Sequence, residues 1–189
     1  MSVTAQSPVT TVDLDTVFPG MSELLATGNR YRTLYVDPPW SYGNNGTRAA
    51  ARNHYKTLDR TLLQMLPVDR LADENAHLHL WTTNAFIEDA LILMREWGFS
   101  YKSCFVWTKP QMGLGNYWRV GHELLLFGMK GKLPFGSRRI KSWVTLPRTK
   151  HSAKPEEIRK LVEIVSPEPR LELFARQQSP GWTAWGNQL

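Results

Sequence analysis

The chain has 189 residues, with 23 Lys and Arg against 17 Asp and Glu for a formal net charge of +6. At 42% hydrophobic and 21% charged it has an ordinary globular composition, enough for one domain around one core. No apolar run approaches the ~20 residues a bilayer requires, the first residues do not read as a secretory signal, and the single cysteine, Cys104, excludes an internal disulfide and any zinc site built on several thiolates; a cytoplasmic setting is expected.

Residues 1–16, rich in Ser, Thr and Val without period, read as a flexible N-terminal arm, and residues 17–189 as one folded domain. Thr33–Val36 is a short apolar strand ending abruptly at Asp37-Pro38-Pro39-Trp40. Residues 43–52, with few apolar side chains, read as a mobile loop. Leu58, Leu62 and Leu66 are spaced for a helix over 57–66 that Pro67 closes. Ala76–Trp81 alternates as a strand, with His77 and His79 on one face. Asn84 stands where it would cap an amphipathic helix with Ile87, Ala90, Leu91, Met94 and Trp97 as its apolar stripe and Gly98 as its stop. Tyr101–Trp107 and Glu123–Met129 read as further strands. Pro155 opens a helix that turns Ile158, Leu161, Val162 and Val165 inward and ends at Ser166-Pro167. Arg170–Ala175 is the last strand expected, before a tail carrying Trp182 and Trp185. The alternation predicts the α/β class, a mostly parallel sheet with helices on both faces, with no internal repeat or linker.

The charge is unevenly spread. Lys130, Lys132, Arg138, Arg139, Lys141, Arg148 and Lys150 fall in a segment without one acidic residue, which points to a polyanionic partner. Eight tryptophans supply aromatic faces, and a basic surface with such faces suits unstacked bases.

Several motifs fail. Gly113-Leu114-Gly115 lacks the third glycine of a dinucleotide fingerprint, and Gly131–Ser137 lacks the Lys-Ser/Thr pair of a phosphate loop. His122-Glu123 has no second histidine four residues on, and His77 with His79 has no third ligand nearby, so no metal site is expected. Asp37-Pro38-Pro39-Trp40 is different. It stands at the C-terminal end of a buried strand, where open α/β sheets place their ligands. The two prolines fix φ and remove two donors, leaving carbonyl acceptors in a set direction. Asp37 adds a carboxylate acceptor and Trp40 a stacking face. Together they suit a planar ring bearing an exocyclic amine: Asp37 and the Pro38 carbonyl each accept one amine hydrogen while Trp40 lies against the ring. Such an amine is a weak nucleophile because its lone pair is delocalised. Acceptors off the ring plane favour a tetrahedral nitrogen and stabilise the positive charge that develops as its new bond forms.

With these residues the chain resembles the S-adenosylmethionine-dependent amino-methyltransferases. It is most similar to the group containing the catalytic subunit of the eukaryotic mRNA adenosine methyltransferase and its smaller bacterial and phage relatives. The likeness runs from about Tyr31 to Leu189. It includes Asp37–Trp40, His54-Tyr55-Lys56-Thr57, Leu80–Thr83, Val106–Lys109, Gly121-His122-Glu123, Gly128–Gly131, His151–Glu156, Leu171–Arg176 and Gly181–Gln188.

The resemblance implies a Rossmann-like sheet with a permuted motif order, the catalytic segment first and the main cofactor segment last. It implies methyl transfer to adenine N(6), with Asp37, Pro38, Pro39 and Trp40 catalytic. Cofactor contacts carry over to Asp37, His151, Lys154, Arg176, Asn187 and Gln188, and a target-base contact to Tyr55. The implied partner is nucleic acid, DNA foremost, with a homodimer or a partner subunit open; the basic segment 130–150, with Arg138, Arg139 and Lys141 at its centre, is expected to do most of the holding. Adenine methylation in RNA, cytosine-N(4) methylation and a catalytically silent nucleic-acid-binding subunit are the alternatives.

Overall fold

A computed structural model describes residues 13–40, 58, 60–113, 115, 117–148, 153–187 and 189. Seven strands are described: β1 (Tyr31–Val36), β2 (Ala72–Thr82), β3 (Ser100–Thr108), β4 (His122–Lys130), β5 (Trp143–Thr145), β6 (Arg170–Leu173) and β7 (Trp182–Trp185). They form one sheet in the order β5-β3-β4-β2-β1-β6-β7. Only β4 runs against the rest; β1 pairs in parallel with β2 and β6, β6 with β7, and β3 with β5. Six strands therefore end at one edge of the sheet, and β4 begins there.

Alternation along the strands builds two cores, as pleating requires. Leu34, Val36, Leu78, Leu80, Leu124, Leu126, Leu171 and Leu173 face one side. There they meet α2 (Met21–Ala26), α3 (Arg60–Gln64), α4 (Val68–Leu71) and α5 (Ile87–Glu96) through Met21, Leu24, Leu63, Val68, Leu71, Leu93 and Met94. Tyr35, Trp81, Trp107 and Leu125 face the other side and pack on Ile158 and Val162 of α6 (Glu156–Val165). The sheet is thus the mostly parallel, Rossmann-like one expected, with helices on both faces. From β1 the chain goes to β2 on one side; it returns through α6 to β6 on the other. The topological switch therefore lies at the C-terminal end of β1, where such sheets bind ligands.

Several elements differ from expectation. Of the arm expected over 1–16, residues 1–12 lie outside the described residues. Asp13 caps a short helix, α1 (Leu14–Val17), by accepting from the Asp15 N–H. The helix expected over 57–66 is α3 alone, because Leu58 instead donates its N–H to Pro39 O at 2.9 Å and bridges Trp40. The loop expected over 43–52 lies outside the described residues. Asn84 does not cap α5; it opens a 3-10 turn, Asn84–Phe86. The buried stripe of α5 is Ala90, Leu93 and Met94 with Trp97 beyond it, Leu91 packs at its margin, and Ile87 is exposed. Pro155 is the N-cap of α6, one position ahead of the expected first turn. Strands β5 and β7 were unforeseen. His77 and His79 are core groups: His77 Nδ1 and His79 Nε2 lie 2.9 and 2.8 Å from the Ser166 hydroxyl at the end of α6.

Candidate active site

Asp37 is the first residue beyond β1, and it follows Tyr35 onto the α6 face of the sheet. Lys154 stands two residues before α6, a crossover that begins at this edge. Its ammonium donates to both Asp37 oxygens, each at 2.7 Å. It also lies 3.3 Å from Glu123 Oε2, near the start of β4. Lys109, one residue past β3, donates to the other Glu123 oxygen. Charges thus alternate Asp37, Lys154, Glu123, Lys109 across the ends of β1, β4 and β3 and the head of α6. All four side chains are largely buried, between 12% and 20% exposed.

Burial acts against the Lys154 ammonium, yet Asp37 and Glu123 outweigh it and hold its pKa above the ordinary lysine value. Burial likewise pushes the Glu123 carboxyl up, and Lys154 with Lys109 reverses this to leave it low. The ammoniums also lie over indoles, Lys154 at 5.3 Å from the Trp81 ring and Lys109 at 4.3 Å from that of Trp107. Those two rings meet edge to face at 6.1 Å.

Trp40 is held in one pose. Its indole N–H donates to the Trp81 carbonyl at 3.0 Å, and its ring stacks on Phe86 at 5.4 Å with planes 12° apart. One face of Trp40 is therefore covered by Phe86. The Pro38 carbonyl accepts the Trp40 backbone N–H at 2.9 Å, which fixes its direction and leaves its second lone pair. Pro39 O accepts from Leu58, so the prolines brace the loop as well as limiting its donors.

The loops after β6 and β7 join at the same edge. Phe174 turns the chain with φ 63°, and the Ala175 N–H donates to Trp185 O at 2.9 Å. Gly186 lies so close that a Cβ would overlap the Ala175 carbonyl oxygen. Arg176 and Asn187 each stand one residue beyond this contact, Arg176 half-buried and Asn187 exposed. Asp37, Lys154, Arg176 and Asn187 are thereby gathered on one edge. Tyr55, His151 and Gln188 lie outside the described residues.

Arg138, Arg139 and Lys141 are not gathered there. They precede β5, four strands from β1, or about 19 Å at ~4.8 Å per strand. The turn before them, at Gly136, hydrogen-bonds Val165 at the far end of α6, away from the Asp37 edge. Glu123, Lys109, Trp81 and Trp107 are site residues that the sequence reading did not single out. Their signal was present in Gly121-His122-Glu123 and Val106-Trp107-Thr108-Lys109, but only folding pairs them with Lys154.

A family model described as MT-A70 matches residues 31–188. The chain belongs to the MT-A70 family. It is 31% identical over 198 residues to the Type II methyltransferase M.MunI of Mycoplasma sp, covering 93% of this chain and 83% of that protein. It is 29% identical to the N(6)-adenine-specific methyltransferase METTL4 of Homo sapiens over 89% of this chain and 39% of that one. To the N6-methyladenosine RNA methyltransferase MTA1 of Pyricularia oryzae it is 32% identical, over 88% of this chain and 49% of that one.

MT-A70 methyltransferases use S-adenosylmethionine as methyl donor. The site has the chemistry for its zwitterionic methionine end. Asp37 and Glu123 match an ammonium, and Lys154 at the head of α6 matches a carboxylate. No metal-binding group of three or more His, Cys, Asp or Glu occurs among the described residues, and none of their helices is long and apolar enough to cross a membrane.

Proposed function

We propose that this MT-A70 chain transfers a methyl group from S-adenosylmethionine to N(6) of adenine in DNA. The observation that carries the reading is Asp37, placed at the topological switch with both oxygens on Lys154 and with Trp40 locked beside it. The DNA assignment follows M.MunI, which is matched over most of its length; METTL4 and MTA1 are matched over less than half of theirs.

The cofactor supplies an electrophilic methyl group on sulfur. Lys154 would neutralise its carboxylate, and Arg176 and Asn187, together with Gln188 and His151 as the family resemblance implies, would hold the rest of it. The adenine, flipped from a duplex or taken from a single strand, would lie on the face of Trp40 turned away from Phe86, and the family resemblance adds Tyr55 as a target-base contact. Asp37 and the free lone pair of the Pro38 carbonyl accept the two amine hydrogens. Both acceptors would orient the nitrogen lone pair and stabilise the charge that grows on nitrogen as its bond to the donated methyl forms and the donor's C–S bond breaks. Asp37 then accepts the surplus proton and releases it to solvent. Arg138, Arg139 and Lys141 hold backbone phosphates away from the reacting centre, and the chain works in the cytoplasm.

Incubation with S-adenosylmethionine and separate pools of duplex DNA, single-stranded DNA and RNA, followed by nucleoside mass spectrometry, tests this reading. N(6)-methyladenine in a DNA pool is expected. Methylation confined to RNA, or methylcytosine, would overturn the substrate assignment while keeping the chemistry. A bound cofactor with no product in any pool would favour a subunit that needs a catalytic partner.

A further inference from the structure

Charge is segregated along this chain. Residues 97–150 carry ten Lys and Arg but one acidic residue, Glu123, a net +9, whereas residues 1–96 carry eight against eleven. Glu123 is already neutralised by Lys109 and Lys154. The stretch of chain that forms β3, β4 and β5 is therefore strongly basic, and the connection from β3 to β4 lies at the edge that carries Asp37.

That connection presents its large side chains to water. Tyr117 is 95% exposed, Trp118 87% and Met112 79%. Its fold is specified: Lys109 N–H donates to Gly121 O at 2.7 Å and Gly113 N–H to Val120 O at 2.8 Å. A Cβ at Gly113 would come within 2.6 Å of Val120 O, and one at Gly115 would overlap the Trp118 carbonyl oxygen. These glycines let the chain double back tightly and turn Tyr117 and Trp118 outward. Arg119 follows in the same turn, and the Arg148 guanidinium lies 2.9 Å from where a Gly113 Cβ would stand.

Two adjacent exposed aromatics followed by Arg119 and with Arg148 beside their turn, in a stretch of chain with a net charge of +9, match a ligand with π-faces and negative charge together. A protein interface would not require the surrounding +9. The basic triad Arg138, Arg139 and Lys141 is too far off to seat bases near Asp37; this turn is on the catalytic edge.

We propose that the β3–β4 connection is a nucleic-acid contact of the enzyme. Tyr117 and Trp118 stack on bases neighbouring the target adenine, and Arg119 and Arg148 take the flanking phosphates. For a duplex, an aromatic inserted beside the target fills the gap that flipping leaves. The inference rests on the nucleic-acid reading above and adds the surface that keeps the strand open.

The test is binding of a fluorescein-labelled adenine-containing DNA oligonucleotide, single-stranded and duplex, followed by anisotropy across a salt series. Tyr117→Ala/Trp118→Ala should bind about tenfold or more weakly, with an unchanged slope of log K against log salt and unchanged S-adenosylmethionine affinity. Arg119→Ala/Arg148→Ala should flatten that slope by about 1.5. Wild-type affinity in the aromatic double variant would overturn the inference. So would its conversion of a wild-type dimer to monomer with DNA affinity intact, which would make the turn a contact between copies. If the wild-type chain binds no oligonucleotide, the nucleic-acid reading fails and the inference falls with it.

Discussion

Lys154 reaches both oxygens of Asp37 at 2.7 Å across 117 residues of sequence. The pair joins the first motif of the chain to a late one and occupies the acceptors that an amine would need. In the mechanism proposed, a cofactor carboxylate that draws Lys154 aside would free Asp37, so that cofactor binding would prepare the site for the base.

Lys154→Met removes the cation proposed to meet the cofactor carboxylate and leaves Asp37 and Glu123 less compensated. A charge-assisted hydrogen bond contributes about 1.5–3 kcal/mol, so S-adenosylmethionine affinity should fall about 10- to 100-fold. Isothermal titration calorimetry measures this, and an unchanged affinity would remove Lys154 from the cofactor site.

Gly186→Ala forces a methyl group into the Ala175 backbone and must part the loops after β6 and β7. Arg176 and Asn187 then separate. Thermal unfolding should drop by a few degrees, for about 1–3 kcal/mol, with cofactor affinity several-fold weaker. A variant that melts and binds like wild type would show that the contact does not shape the site.

Glu172 on β6 is pushed up to about 7 by burial, against Arg159 and with help from Asp37 and Glu156. In the unfolded chain it ionises near its ordinary value of 4.5. Between these values the folded state keeps a proton that the unfolded state has released, so this group lowers stability as pH rises and its penalty is complete above 7. Glu172→Gln should raise the melting temperature by a few degrees at pH 8 and leave it unchanged near pH 4. An equal shift at both would place the effect outside ionisation.

The buried pair His77 and His79 has the opposite slope. Burial, then His77, brings His79 down to about 3, so stability is lost as pH falls from about 6.5 toward 3. Ser166→Ala removes the hydroxyl that both rings use and should cost about 1–3 kcal/mol in urea unfolding at pH 8. A loss below 0.5 kcal/mol would mean that the rings do not depend on that hydroxyl.

Much of the fold was legible because alternation and period are local. β1, the centre of β2 and the inward face of α6 follow from their own residues. The 3-10 turn at Asn84 was not legible; there Phe86 stacks on Trp40, a partner distant in sequence. Nor were β5 and β7, three and four residues long, which exist through their neighbours. Asp37 and Lys154 were readable as motif residues. Glu123 and Lys109 acquire a role only when the antiparallel β4 starts at the edge where β3 ends, a tertiary fact no local pattern carries. The separation of Arg138 and Arg139 from Asp37 is of the same kind.

The most direct test of the account is the rate of methyl transfer to adenine by Asp37→Asn, measured in single turnovers with cofactor saturating and its binding checked separately. This variant keeps the shape of the side chain but exchanges one acceptor oxygen for a donor and removes the charge. The account predicts a rate at least about 100-fold below wild type, the scale of losing one preorganised electrostatic contact. A rate within threefold of wild type, with the cofactor bound, would contradict it.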